Sequence, residues 1–150
     1  MGITVNTQQF DRALNDALSK RKSKVIKVMQ YVGEMCVNEA RSNHKYRDQT
    51  GNLTSSIGYV VSDNGNIVKQ STFNRVAPGV GKMGKGRGKG SLEGEDFARA
   101  LATENTNGIA LIIVAGMQYA KYVNDRGLNV MDSAEDLGRN LVPKLLSQLK

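Results

Sequence analysis

A chain of 150 residues with one cysteine, one histidine and a formal charge of +7 excludes several classes at once. It has the length of one domain with its own core, and a lone Cys36 rules out an intrachain disulfide framework. No apolar run approaches the roughly 20 residues that a membrane helix needs.

Aromatic residues make up 5% of the chain and Trp is absent, so the core has to come from Val, Ile, Leu, Ala and Met. The basic excess points to phosphate or an acidic protein surface as partner, or else to a single solvated basic tail or loop. Met1-Gly2-Ile3-Thr4-Val5-Asn6 lacks a basic region followed by an apolar one, so no signal peptide is expected. With a single thiol, this predicts a protein made in a reducing cytoplasm.

Asn6 with Gln9 has the spacing of a capping box. Phe10, Leu14, Ala17, Leu18, Val25, Val28, Val32, Met35 and Cys36 then recur in steps that share a helical stripe. They predict a helix from about Thr7 to about Ser42, roughly 54 Å long at 1.5 Å per residue. Lys20-Arg21-Lys22-Ser23-Lys24 interrupts the stripe, which predicts either a break there or an N-terminal half that leaves the body. Lys20, Lys24 and Lys27 are candidate contacts to a partner or to DNA; the plainer reading is a solvated face.

Residues 44–51 read as a loop. Leu53, Ile57, Tyr59 and Val61 alternate imperfectly and predict a strand from Leu53 to Val61. Asp63-Asn64-Gly65-Asn66 is a tight-turn signal, because Asn-Gly accepts positive φ at both central positions. Ile67 to Phe73 returns as the hairpin partner and is clean on neither face, so it is expected at an edge.

From Pro78 to Gly94 glycines alternate with Lys82, Lys85, Arg87 and Lys89. This stretch predicts a long basic loop inserted in the domain, too glycine-rich to bury a core. Glu95 to Asn105 reads as a short helix with Phe97, Leu101, Ala98 and Ala102 on its face. Gly108 to Ala115 is apolar on both faces and is expected to be the central strand, covered on both sides. Tyr119 to Asn124 reads as a short helix ended by Asp125-Arg126-Gly127, with Leu128 to Val130 as a further short strand. A last helix starts near Asp132, with Glu135 placed for a capping box. Leu137, Leu141, Leu145 and Leu149 form its stripe, and Pro143 predicts a kink or a fresh start. The resulting fold class is α+β: a long N-terminal helix packed on a small antiparallel sheet, a C-terminal helix, and the long Gly/Lys-rich inserted loop.

Chemistry is scarce. Gly79-Val80-Gly81-Lys82-Met83-Gly84 matches a dinucleotide pattern, and Gly79 to Lys85 most of a phosphate-binding loop. Gly86 stands where Ser or Thr would hold magnesium, and the glycines run on where a helix should open. The loop without aromatics could still hold phosphate non-specifically, as a small nucleic-acid-binding module would. Cys36 lies on the apolar stripe, away from a nucleophile's setting, and His44 has no second histidine for zinc. Asp132, Glu135 and Asp136 suit a helix N-terminus better than a carboxylate site. No cofactor, metal or catalytic residue is expected.

Two segments carry a resemblance. Thr50-Gly51-Asn52-Leu53-Thr54-Ser55-Ser56-Ile57 follows a T-G-x-L-x-x-S-I pattern, and Tyr119-Ala120-Lys121-Tyr122-Val123 a Y-A-x-Y-V pattern ahead of Gly127. In this order, behind a long helix and before a closing one, they resemble the head–tail joining, tail-completion (neck) proteins of tailed phages. The resemblance runs over most of the chain, from about residue 7 to 150. Asn124 stands where that family usually has Glu, one extra residue precedes Gly127, and Asn129-Val130-Met131-Asp132 replaces a Pro-rich aromatic segment. The resemblance implies a structural virion protein assembled in the host cytoplasm. It would form a closed ring with itself between portal or adaptor and tail-tube or tail-terminator proteins, with DNA passing through and no membrane contact. Thr50, Gly51, Leu53, Ser56, Ile57, Tyr119, Ala120, Tyr122, Val123 and Gly127 would then be structural, and the N-terminal helix and the basic loop would reach neighbours or DNA.

Overall fold

The computed structural model describes residues 1–2, 7–76 and 88–149. Helix α1 spans Thr7–Ser42, the predicted bounds, and runs unbroken through Lys20–Lys24. Its stripe divides into two parts. Val32, Gly33, Cys36, Val37 and Ala40 are buried against the body. Residues 7–21 are exposed throughout, and Phe10, Leu14 and Leu18 stand 67%, 46% and 57% open to solvent. The N-terminal half therefore leaves the body rather than breaking away. Departure begins near Lys22, whose ammonium meets the Asp63 carboxylate at 2.5 Å. Asn6 and its capping box lie outside the described residues.

Strands β1 (Ile57–Asp63) and β2 (Asn66–Gln70) form the expected hairpin, with φ of 49° at Asn64 and 86° at Gly65. Strand β3 (Ile109–Ala115) pairs antiparallel with β1 on its other side, so the order is β2-β1-β3. The mostly exposed β2 lies at an edge as predicted. The expectation for β3 is corrected: it is the other edge, and β1, buried from Ile57 to Ser62, is the centre. An apolar residue on both faces reports that both faces of the sheet are covered. It does not report which strands lie beside it.

Alternation along β1 assigns the two faces. Ile57, Tyr59 and Val61 pack with α1 and with α5 (Asp132–Ser147). Val60 and Val114 pack on Ala98 and Ala102 of α3 (Gly90–Glu104). Helix α3 begins at Gly90, not Glu95, so the end of the presumed loop is helix. Here glycine is required by close approach: a Cβ at Gly90 would fall 2.8 Å from Asn52 Cα, and one at Gly94 2.8 Å from Ser56 Cα. Ala98 and Ala102 are the buried face, and Phe97 is exposed.

Three further expectations are corrected. Asn52–Ser55 is a helical turn, α2, and the strand starts only at Ile57; the four-residue step from Leu53 to Ile57 is helical spacing. Leu128–Val130 is not a strand. Helix α4 (Ala120–Val123) runs on into a turn over Asn124–Leu128 that kinks at Gly127, and Asn124 Oδ1 takes the N–H groups of Val130 (2.8 Å) and Met131 (3.0 Å) that a ladder would need. Helix α5 runs through Pro143 as one element, so of the two outcomes expected there the fresh start does not occur. Its first turn is capped by Asn129 Oδ1, which accepts Ser133 N–H at 2.9 Å, while Glu135 pairs with Arg139 instead of closing a box with Asp132.

Candidate functional site

The two segments that carry the resemblance meet. Gly51 takes φ 73° and launches α2; Thr50 Oγ1 accepts the N–H of Asn52 at 3.3 Å, and Asp48 Oδ2 that of Thr54 at 2.8 Å. Thr50 and Leu53 of the first segment and Tyr119 and Val123 of the second line one small cleft, which sets the segments side by side; burial, then the Asp48 charge, push the Tyr119 phenol up. Leu53 and Ala120 are buried together with Tyr46 and Val130. The Tyr46 hydroxyl meets Thr54 Oγ1 at 3.0 Å, and its ring stacks on His44 at 4.0 Å. Ser56 is buried and donates to Leu53 O at 2.7 Å.

The tyrosines of the second segment stay largely open to solvent, Tyr119 at 42%. Tyr122 is 64% exposed, with the Arg126 guanidinium 5.5 Å from its ring centre. Val123 is half-buried, and Gly127 supplies the positive φ, 72°, that closes the turn.

The first segment has a second task that its motif does not advertise. Ser55 Oγ accepts the N–H of Val76 at 2.8 Å, and Asn52 Oδ1 accepts that of Gly88 at 3.0 Å. One turn of helix thus holds the chain on either side of residues 77–87. Lys82, Lys85 and Arg87 lie outside the described residues. Lys89 is exposed at the start of α3, and its carbonyl accepts Glu93 N–H at 3.0 Å. Lys20, Lys24 and Lys27 are exposed on α1, Lys20 on the projecting part and the other two beyond it.

A groove of about 660 Å³ runs along the free edge of β3. Its floor includes Leu111 and Ile113, Phe97 and Leu101 wall it from α3, and Ala134 and Val142 wall it from α5. Periodicity could not reveal it, because it exists only if β3 is an edge. Catalytic groupings are not gathered here. Cys36 is fully buried, with its thiol pushed up by burial and by Glu39. Among the described residues no three His, Cys, Asp or Glu side chains are placed to hold a metal ion. No helix among them is long and apolar enough to cross a membrane. The chain matches no protein-family model, no curated protein and no solved structure.

Proposed function

We infer that this chain is a structural, ring-forming subunit of a tailed-phage neck, joining head to tail around a passage for DNA. The observation that supports this reading is the joint between Thr50–Ile57 and Tyr119–Val123. The residues that carry the resemblance are spent on positioning: a left-handed glycine, a threonine side chain that accepts the Asn52 N–H, and a buried Leu–Ala contact. A subunit that presents surfaces needs such a frame, whereas catalysis needs converging reactive groups.

Native mass spectrometry at low and at physiological salt tests the proposal, with electron microscopy of the same sample. The expected result is one discrete closed oligomer with an open centre wide enough for duplex DNA. A monomer at every concentration, or an open-ended ladder of sizes, counts against it.

A further inference from the structure

Two apolar surfaces of this molecule have no intramolecular partner among the described residues. One is the stripe Phe10, Leu14 and Leu18 on the projecting part of α1. The other is the groove along β3. We propose that the α1 arm of one copy lies in the β3 groove of the next, so that each subunit uses two different surfaces and the contact propagates around a ring.

The arm cannot fill its own groove. It continues a single unbroken helix that leaves the body at Lys22, beside the hairpin tip, and no turn allows it to fold back. A second copy is therefore the occupant that this chain itself supplies. Dimensions agree: the anchors Phe10 to Leu18 span about 12 Å of helix, and the β3 residues that line the groove, Leu111 to Ala115, span about 17 Å. Anchors at i, i+4 and i+8 on one face suit a helix laid in an apolar groove. The edge itself calls for cover. Ile109–Ala115 carries no charge or proline to discourage pairing, and a helix laid alongside is one way such edges are protected.

Area sets the expected behaviour. A helix about 10 Å across, half embedded over about 17 Å, covers less than about 350 Å² per partner. A stable binary interface needs roughly 800 Å² per partner. One junction is therefore weak, while ring closure makes the last junction intramolecular and holds the whole. Isolated dimers should be scarce beside monomers and closed rings.

This inference rests on the self-assembling part of the function proposed above, not on which particle the ring serves. The test uses two full-length variants: Phe10→Ser/Leu14→Ser/Leu18→Ser, which alters only exposed positions, and Phe97→Glu/Lys121→Glu on the groove wall. Circular dichroism and melting temperature confirm that each is folded. Each alone should be monomeric where the wild type forms a ring. Mixed, they should give only a weak 1:1 dimer, populated at high concentration and lost on dilution, and nothing larger, because only one working arm and one working groove can meet and a single junction of this area does not hold firmly. Independently, Leu14→Cys and Phe97→Cys proteins should cross-link to each other on mild oxidation, with the buried Cys36 silent. A wild type that stays monomeric overturns both this inference and the ring reading. A ring that persists in the arm variant overturns this inference alone and points to another contact, such as strand pairing at β3. Variants that stay monomeric when mixed even at high concentration, with no cross-link between the Leu14→Cys and Phe97→Cys proteins, also overturn it.

Discussion

The side-chain oxygen of Asn52 accepts the backbone N–H of Gly88 at 3.0 Å, across 36 residues of sequence. Together with Ser55 and Val76 it closes the base of the basic segment onto the same helical turn that opens the family-like motif. Replacing Asn52 by Ala should cost about 1 kcal/mol, the usual worth of one hydrogen bond from a buried side chain. Hydrogen exchange should quicken at the Gly88 amide more than at Val76. Equal protection at Gly88 in the variant would show that the contact is incidental.

Gly33 of α1 sits directly over the ring of Tyr59. A Cβ there would come 2.6 Å from the ring's Cδ2. In an exposed helix, Gly→Ala stabilises by roughly 0.5–1 kcal/mol. Here the sign should reverse, with Gly33→Ala lowering stability by about 1–3 kcal/mol, because the ring is boxed in and α1 must lift from the sheet. Urea unfolding checks the sign.

The Tyr59 hydroxyl donates to Glu34 Oε1 at 2.8 Å. Burial, then that bond and the carboxylate's charge, hold the phenol protonated well above its ordinary range. The unfolded phenol ionises near pH 10. Its contribution to stability is thus complete below about pH 10 and is lost as pH rises further, since only the unfolded chain then releases the proton. Thermal melts between pH 8 and 11 should show this decline. Tyr59→Phe should flatten it, leaving the smaller slope of Tyr46 and Tyr119, whose phenols burial also raises.

Asn124 donates to Asp132 Oδ1 at 2.7 Å while its own oxygen holds the Val130 and Met131 N–H groups. Asn124→Asp keeps the acceptor but sets two carboxylates face to face. It should cost about 1–2 kcal/mol at pH 7 and recover in acid, as one carboxyl protonates. Adding Asp132→Asn should restore most of the loss at neutral pH, and a double-mutant cycle measures the coupling. Additive losses would separate the two residues.

Much of the fold was legible because local chemistry decides it. The bounds of α1 follow from its stripe, the hairpin from Asn64-Gly65, and the edge character of β2 from its mixed faces. The α+β class follows from these together. The errors share a cause. Gly90 and Gly94 look like loop because glycine disfavours helix, but only a bare Cα lets α3 approach Asn52 and Ser56. Asn52–Ser55 looks like strand because its helical turn is set by Asp48 and Gly51 from outside it.

Sequence by itself determined which residues are apolar, where most elements lie, and that reactive clusters are scarce. Tertiary structure alone decided that β3 is an edge, that Thr50 meets Tyr119, and that Asn52 and Ser55 hold the chain beside the basic segment. The physical reason is range. Periodicity and turn chemistry act over a few residues, whereas strand order and groove formation come from contacts between distant segments, and a single chain's pattern does not encode who sits beside whom.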